Sequence, residues 1–117
     1  MTITLYGIPN CDTVKKARVW LDNHQIPYRF HDYKKQGADA ARVTDWIGTA
    51  GLEKVLNKAG TTFKKLDEAQ KADLDTAKAA ALMVEQPSMI KRPIVEYPGG
   101  LLVGFKEPEW VAALQAK

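Results

Sequence analysis

The chain has 117 residues, which is the length of one ordinary domain. Hydrophobic residues make up 45% and charged residues 26%, so the composition supports a packed core and disfavours intrinsic disorder. The formal net charge is only +3 and the lysines are scattered, which disfavours nucleic-acid binding. No apolar run approaches the roughly 20 residues that span a bilayer, and the N-terminus lacks a basic-then-apolar leader. We therefore expect a cytoplasmic protein, a monomer, with no membrane partner and no nucleic-acid partner.

The first thirty residues predict a strand, a helix and a second strand. Residues 2–6 alternate polar and apolar side chains, which is the period of a half-buried strand. From Cys11 onward the apolar residues fall at helical spacing, and Asn10 is a suitable residue to cap that helix. Residues 28–32 alternate again. This order is the βαβ unit, so we expect two parallel strands with a right-handed crossover.

Residues 34–88 carry no strand pattern. Helical spacing is found at 38–48, around 52–56 and at 75–85, where Pro87 ends the last helix. We interpret this segment as a helical insertion, at about 38–88, within a single domain that spans 1–117.

The last thirty residues predict a β-hairpin followed by a helix. Residues 93–97 and 101–105 flank Pro98, Gly99 and Gly100, a typical turn signal, and 107–116 has helical spacing. The order βαβ, helical insertion, ββα predicts an α/β fold. We expect a four-stranded mixed sheet with helices on its faces, which is the thioredoxin-like architecture.

Cys11 is the main candidate for chemistry and the only cysteine, which excludes an internal disulfide and a multi-cysteine zinc site. A free cysteine is often a small buried apolar residue. Here it follows a strand and a turn at the first turn of a helix, where amides and the helix dipole favour a thiolate. Lys15 adds to that positive field, whereas Asp12 opposes it. The position therefore predicts a reactive thiol.

Val14 determines which kind of thiol chemistry can follow. A dithiol oxidoreductase would carry its second cysteine at this position, three residues after Cys11. Any disulfide chemistry must therefore use a second thiol from outside the chain, and glutathione is the abundant cytosolic source.

Arg92 and Pro93 are the second candidate pair. A proline at the start of a strand is common at a sheet edge, so a purely structural role for Pro93 fits the sequence equally well. The guanidinium of Arg92 offers a fixed fork of donors that suits a carboxylate or an oxyanion, such as a carboxylate of glutathione.

His24 and His31 lack the spacing of metal ligands, and no metal site is predicted. We expect His24 near the C-terminal end of the first helix, where a cation is favourable, and His31 exposed on a strand. Neither histidine is expected to act as a catalytic base.

Three segments together resemble the arsenate-reductase-like family of thioredoxin-fold proteins. They are LYGIPNCDTVKKA at 5–17, GTTFKKL at 60–66 and SMIKRPIV at 88–95. The similarity covers essentially the whole chain. Within this family, the chain most resembles a small bacterial branch of glutathione-dependent thiol reductases, which neighbours the Spx-type regulators.

The resemblance implies that Cys11 is the catalytic nucleophile toward an oxyanion or a disulfide. It also implies that Arg92 is the anion-binding arginine and that the Arg92–Pro93 peptide bond is cis. Arg92 and Pro93, together with Asn10 and Lys15, are the residues expected to bind the substrate or glutathione.

Two further arginines of the family are missing from this chain. One position falls in the region of Asn57 and Lys58, and the other falls near Gly104, where no arginine is present. These departures predict poor arsenate binding.

The leading hypothesis is a monothiol oxidoreductase in which Cys11 reduces a disulfide or a related oxidised substrate. It has no bound cofactor, uses glutathione as co-substrate, and has glutathione or glutaredoxin as the partner that resolves the mixed disulfide. The substrate is a small molecule or a protein thiol. One alternative is an Spx-type regulator that binds RNA polymerase without catalysis, although such regulators carry a CxxC switch where this chain has Val14. The other alternative is an arsenate reductase proper.

Overall fold

The computed structural model describes residues 3–114. The strands are β1 (Thr4–Gly7), β2 (Arg29–Asp32), β3 (Ile94–Tyr97) and β4 (Gly100–Val103). The helices are α1 (Asp12–Asn23), α2 (Tyr33–Gln36), α3 (Ala40–Ala50), α4 (Leu52–Val55), α5 (Thr61–Lys64), α6 (Glu68–Lys71), α7 (Thr76–Glu85) and α8 (Glu107–Leu114). A 3-10 helix, Pro87–Met89, lies between α7 and β3.

The chain divides into two compact units. One consists of Met1–Gln36 and Arg92–Lys117 and is called the sheet unit below, because it holds all of β1 to β4. The other, Gly37–Lys91, is called the helical unit, since it holds α3 to α7 and the 3-10 helix. The expectation of a single domain with an insertion at 38–88 stays a prediction.

The sheet of the first unit is mixed, with strand order β2-β1-β3-β4. β1 pairs with β2 in parallel and with β3 antiparallel, and β3 and β4 form an antiparallel hairpin. Tyr97 pairs with Gly100, so Pro98 and Gly99 form the turn that the sequence predicts. This is the expected four-stranded thioredoxin-like sheet, and the parallel βαβ prediction is confirmed.

One face of the sheet packs against α1 and α8. The buried cluster consists of Leu5, Val14, Ala17, Trp20, Leu21, Val95, Leu102 and Trp110. The four members from α1 recur at helical spacing, which confirms the apolar stripe that the sequence predicts for this helix. The indole Nε1 of the fully buried Trp110 donates to the carbonyl oxygen of Gly104 at 3.0 Å.

The opposite face of the sheet carries polar and aromatic side chains. Neighbouring residues of a strand point to opposite faces, so Tyr6 lies on the face away from Leu5. Its hydroxyl donates to Oε1 of Glu96 at 2.6 Å, and its ring centroid lies 4.8 Å from that of His31. The second face of the sheet is therefore covered in part by contacts among the strands' own side chains.

Three helices of the helical unit, α3, α6 and α7, begin at aspartate side-chain caps. The side chain of Asp39 accepts from the amide of Ala41 at the start of α3, and Asp75 does the same for Lys78 at the start of α7. At α6, Asp67 and Gln70 form a reciprocal capping box. These bonds satisfy first-turn amides that a helix cannot pair internally.

The boundaries differ from the sequence prediction mainly in the short helices. α2, α5 and α6 were not predicted, because none of these four-residue helices carries an apolar stripe. β4 ends at Val103, before the predicted end at 105, while the predicted residues 2, 115 and 116 lie outside the described range. No helix within 3–114 is both long enough and apolar enough to span a bilayer.

Candidate active site

Cys11 lies at the junction between β1 and α1. Its amide donates to the carbonyl oxygen of Ile8 at 3.2 Å, and its own carbonyl oxygen accepts from the amide of Lys15 at 2.9 Å. Cys11 is therefore the N-cap residue of α1, with an extended backbone at φ −90° and ψ 126°. The expectation that Asn10 caps this helix is wrong, because the turn from Ile8 to Cys11 places Asn10 one residue before the cap.

The thiol of Cys11 makes no capping hydrogen bond to the backbone of α1. Its side chain is half-buried and packs against the apolar cluster of the sheet unit. A cysteine in this setting has a restrained Sγ atom beside the positive end of a helix, and part of its surface faces solvent. The arrangement suits a nucleophilic thiol.

Gly7 and Val14 bring the first turn of α1 against the end of β1. A Cβ atom at Gly7 would lie 2.8 Å from Cγ2 of Val14, so only glycine fits this approach without a shift. Val14 is fully buried. The position where a dithiol protein would carry its second cysteine is therefore part of the core.

Arg92 and Pro93 lie at the same edge of the sheet as the loop to Cys11. Tyr6 pairs with Ile94 in the antiparallel register, which puts Pro93 level with the end of β1. The Arg92–Pro93 peptide bond is cis, as the resemblance implies. Pro93 is buried and its carbonyl oxygen accepts from the amide of Gly104 at 2.8 Å, while Arg92 is half-buried.

The other two predicted binding residues are both exposed. Asn10 precedes Cys11 in the loop, and Lys15 lies one turn further along α1. The topology thus brings the five predicted residues to the edge where β1 ends and β3 begins. The roles assigned to Cys11, Asn10, Lys15 and the Arg92–Pro93 pair stay predictions.

The two histidines lie in separate places. His24 is the C-cap residue of α1, as predicted, and its ring stacks on Trp20 with centroids 4.1 Å apart. The prediction that His31 is exposed is wrong. It is half-buried because the second face of the sheet is covered by aromatic rings, those of Tyr6 and Tyr33. Residues 3–114 contain no cluster of three or more potential metal ligands.

Tyr33 is a residue that sequence reasoning missed. It is the first residue of α2, directly after β2, and only 4% of its surface is exposed. Burial, followed by the neighbouring Tyr6 and Glu96, raises the pKa of Tyr33, whereas Arg92 lowers it. A tyrosine directly after a strand that runs parallel to β1 is the signal that could have identified it.

The two positions of the missing arginines lie in different units. In the helical unit, the amide of Asn57 donates to the carbonyl oxygen of Met89, and the ammonium of Lys58 lies 3.0 Å from a carboxylate oxygen of Glu53. In the sheet unit, Gly104 has φ +76° and bonds to Pro93. Gly104 directly follows β4 and, as a glycine, offers no side chain to bind an anion.

Fold and site together define a thioredoxin-like protein with one thiol at the start of α1 and an arginine before a cis-proline. The chain belongs to the ArsC family, whose model matches residues 6–113.

Two solved structures show how closely the chain follows this architecture. The YFFB protein is 60% identical, with a TM-score of 0.93, over 96% of this chain and 98% of that chain. An arsenate reductase (ArsC) related protein from Brucella melitensis is 51% identical, with a TM-score of 0.74, over 98% of this chain and 96% of that one.

Regulators also occur among the relatives. The global transcriptional regulator Spx from Listeria innocua is 29% identical over 112 residues, which cover 92% of this chain and 82% of that protein. The expected resemblance, to arsenate-reductase-like proteins with Spx regulators as neighbours, is confirmed.

Proposed function

We propose that the protein is a monothiol oxidoreductase that uses Cys11 and glutathione to reduce a disulfide or a related oxidised substrate. The observation that carries this proposal is the position of the only cysteine. It lies at the start of α1, at the sheet edge that also holds Arg92, and its thiol makes no capping hydrogen bond to the helix backbone. Membership of the ArsC family supports an oxidoreductase of this kind.

The first step is attack of the Cys11 thiolate on one sulfur of the substrate disulfide. A bond forms between the two sulfurs, the substrate S–S bond breaks, and the leaving thiolate takes a proton from water. The product is a mixed disulfide between Cys11 and the other half of the substrate.

Two glutathione molecules complete the cycle. The thiolate of the first attacks Sγ of Cys11 and releases the second half of the substrate as a thiol. The thiolate of the second attacks the glutathione sulfur of the new mixed disulfide, which yields oxidised glutathione and the free Cys11 thiolate. The substrate gains two electrons and two protons, and two glutathione thiols become one disulfide. Glutaredoxin can supply the second reduction by the same exchange.

Arg92, with Lys15, Asn10 and Pro93, forms the proposed binding surface for glutathione. The guanidinium of Arg92 binds an anionic group, because its planar fork matches a carboxylate better than an ammonium does. Lys15 adds positive charge one turn from the thiol. No bound cofactor is needed. We also propose that the protein works as a monomer in the cytoplasm, where glutathione is abundant.

The test is the rate of adduct formation with oxidised glutathione, followed by intact-protein mass spectrometry. Wild type should gain one glutathionyl group, and Cys11→Ser should gain none. Arg92→Ala should slow the reaction by about 5- to 150-fold, because a charge-assisted contact contributes about 1–3 kcal/mol. Arg92→Lys should recover part of the rate.

Arg29→Ala is the matched control, since it removes an exposed arginine from the same unit. Its rate should equal that of wild type, and circular dichroism should show that every variant is folded. Equal rates for wild type and Arg92→Ala would leave Cys11 a reactive thiol without a binding group.

The Spx regulators among the relatives favour a second candidate, a regulator that binds RNA polymerase without catalysis. Val14 stands where a two-cysteine switch has its second thiol, and Cys11 is the only cysteine of the chain, which speaks against such a switch. Copurification with RNA polymerase, at equal yield for wild type and Cys11→Ser, would favour the regulator over the reductase.

Arsenate reduction is the third candidate and should be weak. Each missing charged donor to an oxyanion weakens binding by about 1.5–3 kcal/mol, so two losses weaken it by a few orders of magnitude. Asn57 and Gly104 occupy the two positions, and Lys58 pairs with Glu53. Efficient turnover of micromolar arsenate with glutaredoxin would show that other groups replace the missing arginines.

A further inference from the structure

The hydroxyl group of Tyr33 is buried and has no hydrogen-bond partner among the groups of residues 3–114. Buried polar atoms in native proteins almost always have a partner, and each exception needs a physical explanation such as a bound water, ion or ligand. Tyr33 is the buried side chain of the described range to which this applies.

The rings around Tyr33 hold it firmly in place. Its ring stacks on that of Tyr6 with centroids 6.3 Å apart and an interplanar angle of 27°, and the ring of His31 meets its edge at 5.6 Å. The hydroxyl of Tyr6 already donates to Glu96. The hydroxyl of Tyr33 is thus held among these rings with its donor unused.

The sheet register brings Tyr33 and Arg92 to one edge. Gly7 pairs with Asp32, and Tyr33 is the next residue; Tyr6 pairs with Ile94, and Arg92 comes two residues before it. Both side chains therefore start one row beyond the end of β1. Neighbouring strands lie about 4.8 Å apart, so two long side chains on either side of β1 can reach one small group.

Charge makes Tyr33 a donor at this edge. Burial and the neighbouring Glu96 raise the pKa of Tyr33, so its hydroxyl keeps its proton at neutral pH. Arg92 acts on the pKa of Tyr33 in the opposite direction, and more weakly than Tyr6 and Glu96. A neutral hydroxyl and a guanidinium are both hydrogen-bond donors, so an anion can accept from both of them.

We propose that the Tyr33 hydroxyl and the Arg92 guanidinium together form a subsite for one carboxylate group of glutathione. The inference rests on the proposed function for the identity of the ligand. Tyr33 contacts the ligand at a carboxylate remote from its sulfur and is a binding residue. Glu96 is level with Thr4, at the other end of β1, and its carboxylate accepts from the hydroxyl of Tyr6.

The test is the affinity for S-methylglutathione, which keeps both carboxylates but cannot react with Cys11. Binding is followed by NMR titration, including the Nε–H signal of Arg92. Tyr33→Phe keeps the ring contacts and removes only the hydroxyl, so Kd should rise about tenfold or more, the effect of one hydrogen bond to a charged group. The midpoint of thermal unfolding should be unchanged or higher, because a buried unpaired group is removed.

Tyr28→Phe is the matched control, since Tyr28 precedes β2 as Tyr33 follows it and its hydroxyl accepts from Arg18 at 3.0 Å. Its Kd should stay within twofold of wild type. In Tyr33→Phe with Arg92→Ala, the loss should be close to that of Arg92→Ala alone, because two donors to one group are not additive.

The outcomes separate this subsite from the proposed function. Unchanged affinity in Tyr33→Phe, with a glutathione adduct still formed on Cys11, would overturn the subsite and leave the function standing. Weakened affinity in Tyr33→Phe, with no adduct on Cys11, would support the subsite and overturn the function. A wild type that does not bind S-methylglutathione would overturn the subsite.

Discussion

The first helix of the sheet unit and three helices of the helical unit begin differently. In the helical unit, α3, α6 and α7 each begin at an aspartate whose side chain accepts from a first-turn amide. In the sheet unit, α1 begins at Cys11, which makes no such bond. Cysteine is not among the preferred N-cap residues, so the start of α1 lacks a stabilising bond that α3, α6 and α7 have. This contrast fits the proposal that Cys11 serves as a reactive thiol.

The first prediction concerns the core that supports this start. Trp110→Ala removes a fully buried indole and its bond to Gly104, and it should lower the free energy of unfolding by about 3–5 kcal/mol. The loss follows from the cavity and from the unpaired carbonyl group. Urea denaturation measures it. Val111→Ala, on the exposed side of the same helix, should change stability by less than about 0.5 kcal/mol. A similar loss in both variants would contradict the assignment of Trp110 to the core.

The second prediction concerns the contact between β1 and α1. Gly7→Ala places a methyl group 2.8 Å from Val14, and it should destabilise the protein by about 1–3 kcal/mol. Because the first turn of α1 must move, adduct formation on Cys11 should also change. Both effects are measured on one sample, by urea denaturation and by mass spectrometry. An adduct rate equal to wild type, despite the lost stability, would mean that the contact does not position the thiol.

The third prediction tests the contrast between helix starts directly. Cys11→Ser introduces a good capping group at an extended N-cap residue, and it should stabilise the protein by about 1 kcal/mol while it abolishes the adduct. Asp75→Ala makes the opposite change at α7 and should destabilise by about 1 kcal/mol without slowing the adduct. Thermal unfolding compares the two. If Cys11→Ser is less stable than wild type, the cysteine contributes more through packing than a cap would.

Most of the sheet unit could be predicted from sequence because its signals are strong. Alternation marks the strands, and Val14, Ala17 and Leu21 mark the buried face of α1 at helical spacing. The short helices lack such a stripe. For α6 the capping box of Asp67 and Gln70 was the available signal.

The site was only partly predictable. Cys11 and Arg92 follow from local position and resemblance. His31 was expected to be exposed. The alternation of polar and apolar residues predicts on which face of the sheet a side chain lies, but it does not predict which side chains cover that face. Tyr33 could not be connected with Arg92 from sequence, since the connection depends on the registers of β1 with β2 and with β3.

The last prediction has the smallest expected effect and concerns a stabilising substitution in the helical unit. Gly48 lies inside α3, with nothing within 4 Å of the place where a Cβ atom would be, so Gly48→Ala should stabilise by about 0.5–1 kcal/mol. Gly51 has the same open space but φ +94°, and Gly51→Ala should therefore destabilise. Thermal unfolding distinguishes the two signs. The adduct rate on Cys11 should equal that of wild type in both variants, because neither glycine belongs to the unit that holds the thiol. A changed rate in Gly48→Ala would mean that the helical unit also affects the reactivity of Cys11, which would contradict the assignment of that reactivity to the sheet unit alone.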